Sequence, residues 1–269
     1  MHELAIIGAG NMAEAIARGI LRAKLLSESE IIASDVSEAR RNLFLNELGI
    51  RAVQENAVAV REARTILLSV KPQQMAAVLA DVGRQANADA LFVSIAAGVS
   101  SVSIERHLGQ GRDWRVVRTM PNTPMLVGEG MVAISAGRHA TADDLARARR
   151  LFEAAATVVE LPEDKLDDVT ALSGSGPAYF FFLVEQMIRA GVELGLTREQ
   201  AHTLATRTAL GAAKMLTTST DSPEELRRKV TSPNGTTQAA IETMQARGVP
   251  EGLVAAVLRA AARSKELGA

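Results

Sequence analysis

The chain has 269 residues and a formal net charge of −1, with 30 Lys and Arg against 31 Asp and Glu. That balance implies no basic face for nucleic acid, and the length suits one large domain or two smaller ones. There is no cysteine, which excludes disulfides, thiolate metal sites and cysteine nucleophiles, and the histidines (His2, His107, His139 and His202) are too scattered to be metal ligands. Met1-His2-Glu3 lacks the basic start of a signal peptide. The longest apolar run, Ala178 to Val184, is far too short to span a bilayer. The expectation is a cytoplasmic protein that binds neither membrane nor metal.

Leu4-Ala5-Ile6-Ile7 reads as a first strand. Gly8-Ala9-Gly10-Asn11-Met12-Ala13 follows at once, and Ala15 to Ile20 continues it at helical spacing. Strand, glycine turn and helix in that order are the context that gives a GxGxxA pattern its meaning. Gly8 makes the tight turn, Gly10 lets a pyrophosphate approach the backbone, and Ala13 lets the helix pack close to the strand. The free N–H groups and positive dipole end of the helix face the phosphates.

A second strand, Glu30 to Ser34, ends at Asp35, 22 positions beyond Ala13. The residue that meets the adenosine ribose is expected roughly 20 positions on. An acid there suits the free hydroxyls of NAD and repels the extra phosphate of NADP. Arg40 and Arg41 can answer such a phosphate, and Ser34 can bond either form. The alternative role for Asp35 is to open the helix from Ser37 to Leu48 as a turn or cap residue.

Further strands are expected at Ile66–Pro72, stopped by its proline, at Leu91–Gly98, at Arg115–Pro121 and at Gly130–Ser135. Helices lie between them, as at Gln73–Ala86 and Ser101–Leu108. Alternation of this kind predicts an α/β fold with a doubly wound, mostly parallel sheet of Rossmann type. Ligands of such sheets lie beyond the C-terminal strand ends. That aligns Gly8–Ala13, Ser34–Asp35, Val70–Pro72, Ala96–Gly98 and Met120–Thr123 along one rim.

After Thr141 come a helix from Asp143 to Ala156 and an edge strand, Thr157 to Leu161. Pro162 marks the boundary between a dinucleotide-binding domain, residues 1–161, and an all-helical domain, residues 162–269. Ser173-Gly174-Ser175-Gly176 reads as a glycine turn into a long apolar helix, Pro177 to Leu194. Four more helices follow: one capped by Thr197 and ending near Leu216, one opened by Ser222-Pro223-Glu224-Glu225, one from Thr236 or Thr237 to Gly248, and one from Pro250 to Leu267. So much apolar helical surface predicts dimerisation. Between the second and third of these four, Val230-Thr231-Ser232-Pro233-Asn234-Gly235-Thr236-Thr237 brings hydroxyls and a Pro-Asn-Gly turn to a helix N-terminus. The segment reads either as a small-carboxylate site built from Ser232 and the N–H groups of Gly235 to Thr237, or as ordinary capping by Ser232 or Thr236.

Taken together, these segments resemble the pyrroline-5-carboxylate reductases over essentially the whole chain. The resemblance rests on Ile6-Ile7-Gly8-Ala9-Gly10-Asn11-Met12-Ala13, Val70-Lys71-Pro72-Gln73, Ser94-Ile95-Ala96-Ala97-Gly98, Met120-Pro121-Asn122-Thr123-Pro124 with Gly128-Glu129-Gly130, Leu172 to Tyr179, and Val230 to Thr237. It implies reduction of the cyclic imine 1-pyrroline-5-carboxylate to L-proline with NADPH or NADH. It also implies C-terminal helices that interlace with a partner subunit, in a homodimer that builds larger rings such as a decamer.

By the same resemblance, the substrate carboxylate sits on Ser232 to Thr237, and Thr237 hydrogen-bonds or protonates the ring nitrogen. Asn56 reaches the adenine-side ribose. Val70-Lys71-Pro72, Ala96-Ala97-Gly98 and Met120-Pro121-Asn122 surround the nicotinamide. One departure stands out: many relatives end the second strand in Asn-Arg or Ser-Ser and favour NADPH, whereas this chain has Ser34-Asp35, which leaves the cofactor form open. Two rival readings are a reductase of the same architecture acting on another imine or a 3-hydroxy acid, and a non-catalytic cofactor sensor. A hydroxy-acid enzyme of this shape needs a lysine base on the long helix, which has Glu185 and Gln186 but no lysine before Lys214. The second has no use for a carboxylate site.

Overall fold

A computed structural model of the chain describes residues 2–268. Eight strands form one sheet: β1 (His2–Ile7), β2 (Ile31–Ser34), β3 (Arg51–Val53), β4 (Ala63–Leu68), β5 (Leu91–Ser94), β6 (Arg115–Met120), β7 (Gly130–Ala136) and β8 (Ala156–Glu160). Their order is β3-β2-β1-β4-β5-β6-β7-β8. The first six are parallel; β7 runs antiparallel to β6, and β8 pairs parallel with β7. The strand order therefore reverses between β1 and β4, the place where sheets of this type bind ligands.

The helices of this part are α1 (Asn11–Arg22), α2 (Glu38–Leu48), α3 (Asn56–Val60), α4 (Pro72–Gln85), α5 (Ser101–Leu108), α6 (Ala142–Glu153) and the single turn α7 (Leu166–Val169). Side chains alternate along β1. Leu4 and Ile6 join a core with Ile16, Ile20, Phe44 and Phe152 on one face, while Ala5 and Ile7 join Leu79, Phe92 and Trp114 on the other. Both faces are buried, as the near-continuous apolar strands require.

Contacts divide the chain into two compact units: residues up to Ser175 together with those from Ala260 onward, and Gly176–Arg259. Residues 163–175 pack with the sheet. The Ser101 N–H and Oγ both donate to Glu163, and buried Arg118 pairs with Glu163 and Asp167. The second unit holds α8 (Gly176–Glu193), α9 (Arg198–Thr218), α10 (Pro223–Lys229) and α11 (Thr236–Ala246), and α12 (Val249–Gly268) begins in it. Capping boxes at Thr197 with Gln200 and at Ser222 with Glu225 start α9 and α10. A Cβ on Gly191 would lie 2.8 Å from the Ala201 Cβ, so glycine lets α8 and α9 touch.

Several sequence-based expectations need correction. Ser173–Gly176 is not a glycine turn that breaks the chain. Thr170–Gly174 is a turn of π-helix closed by the Ser175 N–H on the Thr170 carbonyl at 2.8 Å, and α8 follows directly. Local glycine content predicts a break, but the segment is held helical by Thr170 Oγ1 and Ser173 Oγ donating back to Leu166 and Val169. The helix expected to reach Ala156 stops at Glu153, because Ala156 already belongs to β8. Ser232 and Thr236 do not cap α11: its N-cap is Gly235, with no side-chain cap bond. Strand β3 and helix α3 are both too short to leave a periodic signal.

Candidate active site

Strand register builds the rim. Ile7 pairs with Ser34 on one side and Leu68 on the other, and Leu68 pairs with Ser94. The ladder runs on past the strand ends: Gly8 N–H donates to Ser34, Ser69 to Ile7, and Ile95 to Leu68. The residues that follow the strands therefore start level with one another. A cavity of ≈ 510 Å³ opens there, and Gly8, Gly10, Ser34, Asp35, Asn56, Ser69, Val70 and Lys71 are among its lining residues. Seven of the residues expected at a cofactor are thus brought to one place.

The glycine turn has the shape that a pyrophosphate needs. Gly8 has φ +92° and a Cβ there would lie 2.9 Å from the Ser69 carbonyl oxygen, so only glycine fits. A Cβ on Gly10 would meet nothing within 4 Å, so the backbone is open on that side. Gly10 is the N-cap of α1 and no side chain caps the helix. The orphan N–H groups of the first turn are then left to a ligand. Asn11, exposed, and Met12, half-buried against the core, are the first two residues of α1.

Ser34 Oγ donates to Asn56 Oδ1 at 2.8 Å, which fixes two expected ribose contacts relative to each other. Asp35 is held from both sides: its carboxylate accepts from the Ala9 N–H and the Ser37 N–H, each at 2.8 Å. Arg40 Nε donates to the Ala9 carbonyl at 2.5 Å and its Nη2 to Glu14 at 2.8 Å. Arg41 Nη1 donates to the carbonyls of Asp35 and Val36. Neither the hold on Ala9 nor the pairing of Arg40 with Glu14 leaves any mark in the sequence.

The remaining expected cofactor residues continue along the rim. Lys71 is exposed and is the N-cap of α4, with Pro72 as the first helical residue. Pro72 and Gly98 line a second cavity of ≈ 400 Å³ together with Ser103, His107 and the end of α12. Ala96 is buried and its N–H is bonded to Ser94 Oγ, while Ala97 is half-buried. Met120 and Asn122 meet at the π-turn. Asn122 accepts from the Met131 N–H and donates to the Ser173 carbonyl, and a Cβ on Gly174 would overlap the Met120 methyl. The side chain of Asn122 thus has both its polar ends bonded within the protein. Sequence reasoning reads the Ser173–Gly176 motif as a glycine turn and a mark of family; its place against Met120 and Asn122 is a structural result.

The expected carboxylate site lies in the second unit. Asn234 has φ +57°, and its N–H donates to Gln238 at 2.8 Å. Gly235 N–H closes onto the Ser232 carbonyl at 3.0 Å, and a Cβ on Gly235 would run into Ser232 Oγ. Ser232 is exposed and Thr237 half-buried, and the Ser232 hydroxyl lies against Gly235, the N-cap of α11. Such a start offers N–H groups and a positive dipole end to an anion.

Among the described residues, no group of three or more His, Asp and Glu side chains can hold a metal ion, and no helix is long and apolar enough to cross a membrane.

Comparison with known proteins matches two parts of the chain to family models. Residues 163–267 match the family model for pyrroline-5-carboxylate reductase dimerisation, and residues 3–98 match that for coenzyme F420-dependent NADP oxidoreductases. The pyrroline-5-carboxylate reductase of Pseudomonas aeruginosa is 47% identical over 266 residues, 98% of this chain and 96% of that one. The structure of the enzyme of that name from Coxiella burnetii superposes with a TM-score of 0.89 at 34% identity, covering 100% and 99% of the two chains. The Plasmodium falciparum pyrroline carboxylate reductase, solved with NADP bound, gives a TM-score of 0.89 at 27% identity over 100% and 98%. With a glycine turn open to a dinucleotide and likeness at this level over its whole length, the chain belongs to the pyrroline-5-carboxylate reductase family.

Proposed function

We infer that the chain reduces 1-pyrroline-5-carboxylate to L-proline with NADH or NADPH, the last step of proline biosynthesis. The observation that carries this furthest is the 47% identity over 98% of the chain to a protein of that name. When bound, the reduced nicotinamide supplies a hydride to the imine carbon. This chain's own residues bind, orient and hold protons.

Gly8, Gly10, Asn11 and Met12 take the pyrophosphate at the start of α1. Ser34, Asp35 and Asn56 take the adenine-side ribose. Val70-Lys71-Pro72 and Ala96-Ala97-Gly98 enclose the nicotinamide, with Met120 and Asn122 on the substrate side. The open Gly10 face, the uncapped α1 and the ≈ 510 Å³ cavity support that assignment.

In the helical domain, residues 162–269, Ser232 and the N–H groups of Gly235, Thr236 and Thr237 hold the substrate carboxylate. The Thr237 hydroxyl bonds the ring nitrogen and holds or supplies its proton. The iminium form is already a good electrophile, so catalysis rests mainly on orientation at near-attack distance. Thr237→Ala is then expected to lower kcat about a hundredfold, and Ser232→Ala to raise KM with kcat little changed. The assay is the fall in nicotinamide absorbance with pyrroline-5-carboxylate. Equal, negligible effects of both changes would remove the assignment.

Dimerisation is part of the same reading. Within α8 only Gly176 and Gly191 are buried, while Phe180, Phe181 and Phe182 are 63%, 69% and 65% exposed. An apolar surface of this kind marks an interface. The dimer would exchange C-terminal helices between subunits and assemble further, with a decamer as the larger form. A cytoplasmic location completes the reading.

A further inference from the structure

We propose that this chain selects NADH over NADPH, and that Asp35 makes the selection because both nearby arginines are engaged elsewhere. The proposal rests on the reading that the ≈ 510 Å³ cavity holds a nicotinamide dinucleotide.

Asp35 stands directly after β2, lines that cavity, and has Ser34 and Asn56 beside it. Its two carboxylate oxygens each accept one backbone N–H, from Ala9 and from Ser37. These bonds fix its position. An ionised carboxylate has about four acceptor sites, so two stay open for ribose hydroxyls, which donate. A phosphate in place of the 2′-hydroxyl offers only acceptors and negative charge. It would meet a fixed like charge and gain no hydrogen bond from it.

A site that takes the phosphate needs a cation to answer it, and the structure commits the candidates. Arg40 is bonded to the Ala9 carbonyl and ion-paired with Glu14, whose other oxygen pairs with Arg18. Moving Arg40 to a phosphate would leave Glu14 partly unpaired and release the glycine turn. Arg41 is aimed at the Asp35 and Val36 carbonyls, beneath the turn that Asp35 occupies. The Ala9 residue thus has its N–H held by Asp35 and its C=O by Arg40. The groups that would have to change for NADPH are the same groups that shape the pyrophosphate turn.

The test is direct binding of NADH and NADPH to the purified oligomer, followed by nicotinamide fluorescence, alongside kcat/KM with each. The wild-type chain is expected to bind NADH about tenfold or more tighter than NADPH. Asp35→Asn removes the charge and keeps the size. It is expected to tighten NADPH about tenfold and to weaken NADH, since the phosphate no longer meets a fixed like charge while the ribose hydroxyls lose an acceptor. Asp35→Ser should move the ratio the same way. Equal affinities, or tighter NADPH, in the wild-type chain would overturn the proposal. So would variants that weaken both forms by one common factor, which would make Asp35 a support for the turn and nothing more. Tighter NADPH with turnover intact would leave the reaction standing, whereas binding of neither form would remove the dinucleotide reading itself.

Discussion

Asn122 donates from its amide nitrogen to the Ser173 carbonyl at 3.1 Å and accepts from the Met131 N–H at 2.9 Å. One side chain thus ties the end of β6 to both β7 and the π-turn. It is 8% exposed, so its bonds are little contested by water. The π-turn has a carbonyl to spare there because i→i+5 bonding shifts the ladder by one residue.

Asn122→Ala leaves two largely buried groups without their partner. A loss of about 1–3 kcal/mol is expected for each group left unsatisfied, read as a fall in Tm and a lower denaturant midpoint. Asn122→Asp keeps the acceptor for Met131 but sets a carboxylate oxygen against the Ser173 carbonyl, so it should be at least as destabilising as the alanine variant at neutral pH.

Gly174 is required by Met120. A Cβ at 174 would overlap the Met120 methyl, and no positive φ is involved. Gly174→Ala should therefore act by crowding rather than backbone strain, at a cost of about 1–3 kcal/mol. Met120→Ala in the same chain should recover part of that loss, because it removes the group being struck. A double-mutant cycle in thermal unfolding reads the coupling.

Much of the fold was legible because the sheet is parallel and buried on both faces, so β1, β4, β5 and β6 appear as apolar runs with proline or glycine after them. Gly8, Gly10 and Asp35 were legible because their spacing follows from turn geometry. The three-residue β3 and five-residue α3 were not, since neither spans a full period of its pattern. Ser173–Gly176 misleads for a different reason. Glycine lowers helix propensity locally, but tertiary contact with Met120 and Asn122 overrides it. The clamp of Asp35 and Arg40 on Ala9 joins positions 26 and 31 residues apart, and such pairings leave no local signature.

Glu14 gives the turn network a pH dependence. Burial works to raise its carboxyl, but hydrogen bonds from Arg40 and Arg18 outweigh burial and hold it below the usual carboxylate range. A folded-state value below the unfolded one contributes stability that is present above the unfolded value and is lost as pH falls through the folded one. The chain is expected to lose stability on acidification below about pH 4.5. Glu14→Gln should be less stable than the wild type at neutral pH, and the gap should narrow in acid. Chemical denaturation at several pH values measures it, and a gap independent of pH would assign the loss to packing.

Arg118 closes a second network. It is 5% exposed, with Glu163 at 3.5 Å and Asp167 at 3.3 Å, and Asp167 also accepts from Ser264 on α12 at 2.8 Å. The two carboxylates are themselves partly exposed, at 25% and 19% of their side chains. Arg118→Met keeps most of the volume and removes the charge, leaving both acids unpaired against the sheet. Breaking a buried pair costs about 3–5 kcal/mol, and partial access to water places this case at the low end. Asp167→Asn in the Arg118→Met background should then cost less than it does alone, because it neutralises a charge that has already lost its partner. Ser264→Ala should cost about 1 kcal/mol and mark how firmly the end of α12 is tied down. Denaturant unfolding of the three single variants and the double variant measures these differences. Strict additivity of the Arg118 and Asp167 changes would mean that the two side chains stabilise the fold separately and that their contact carries little of the energy.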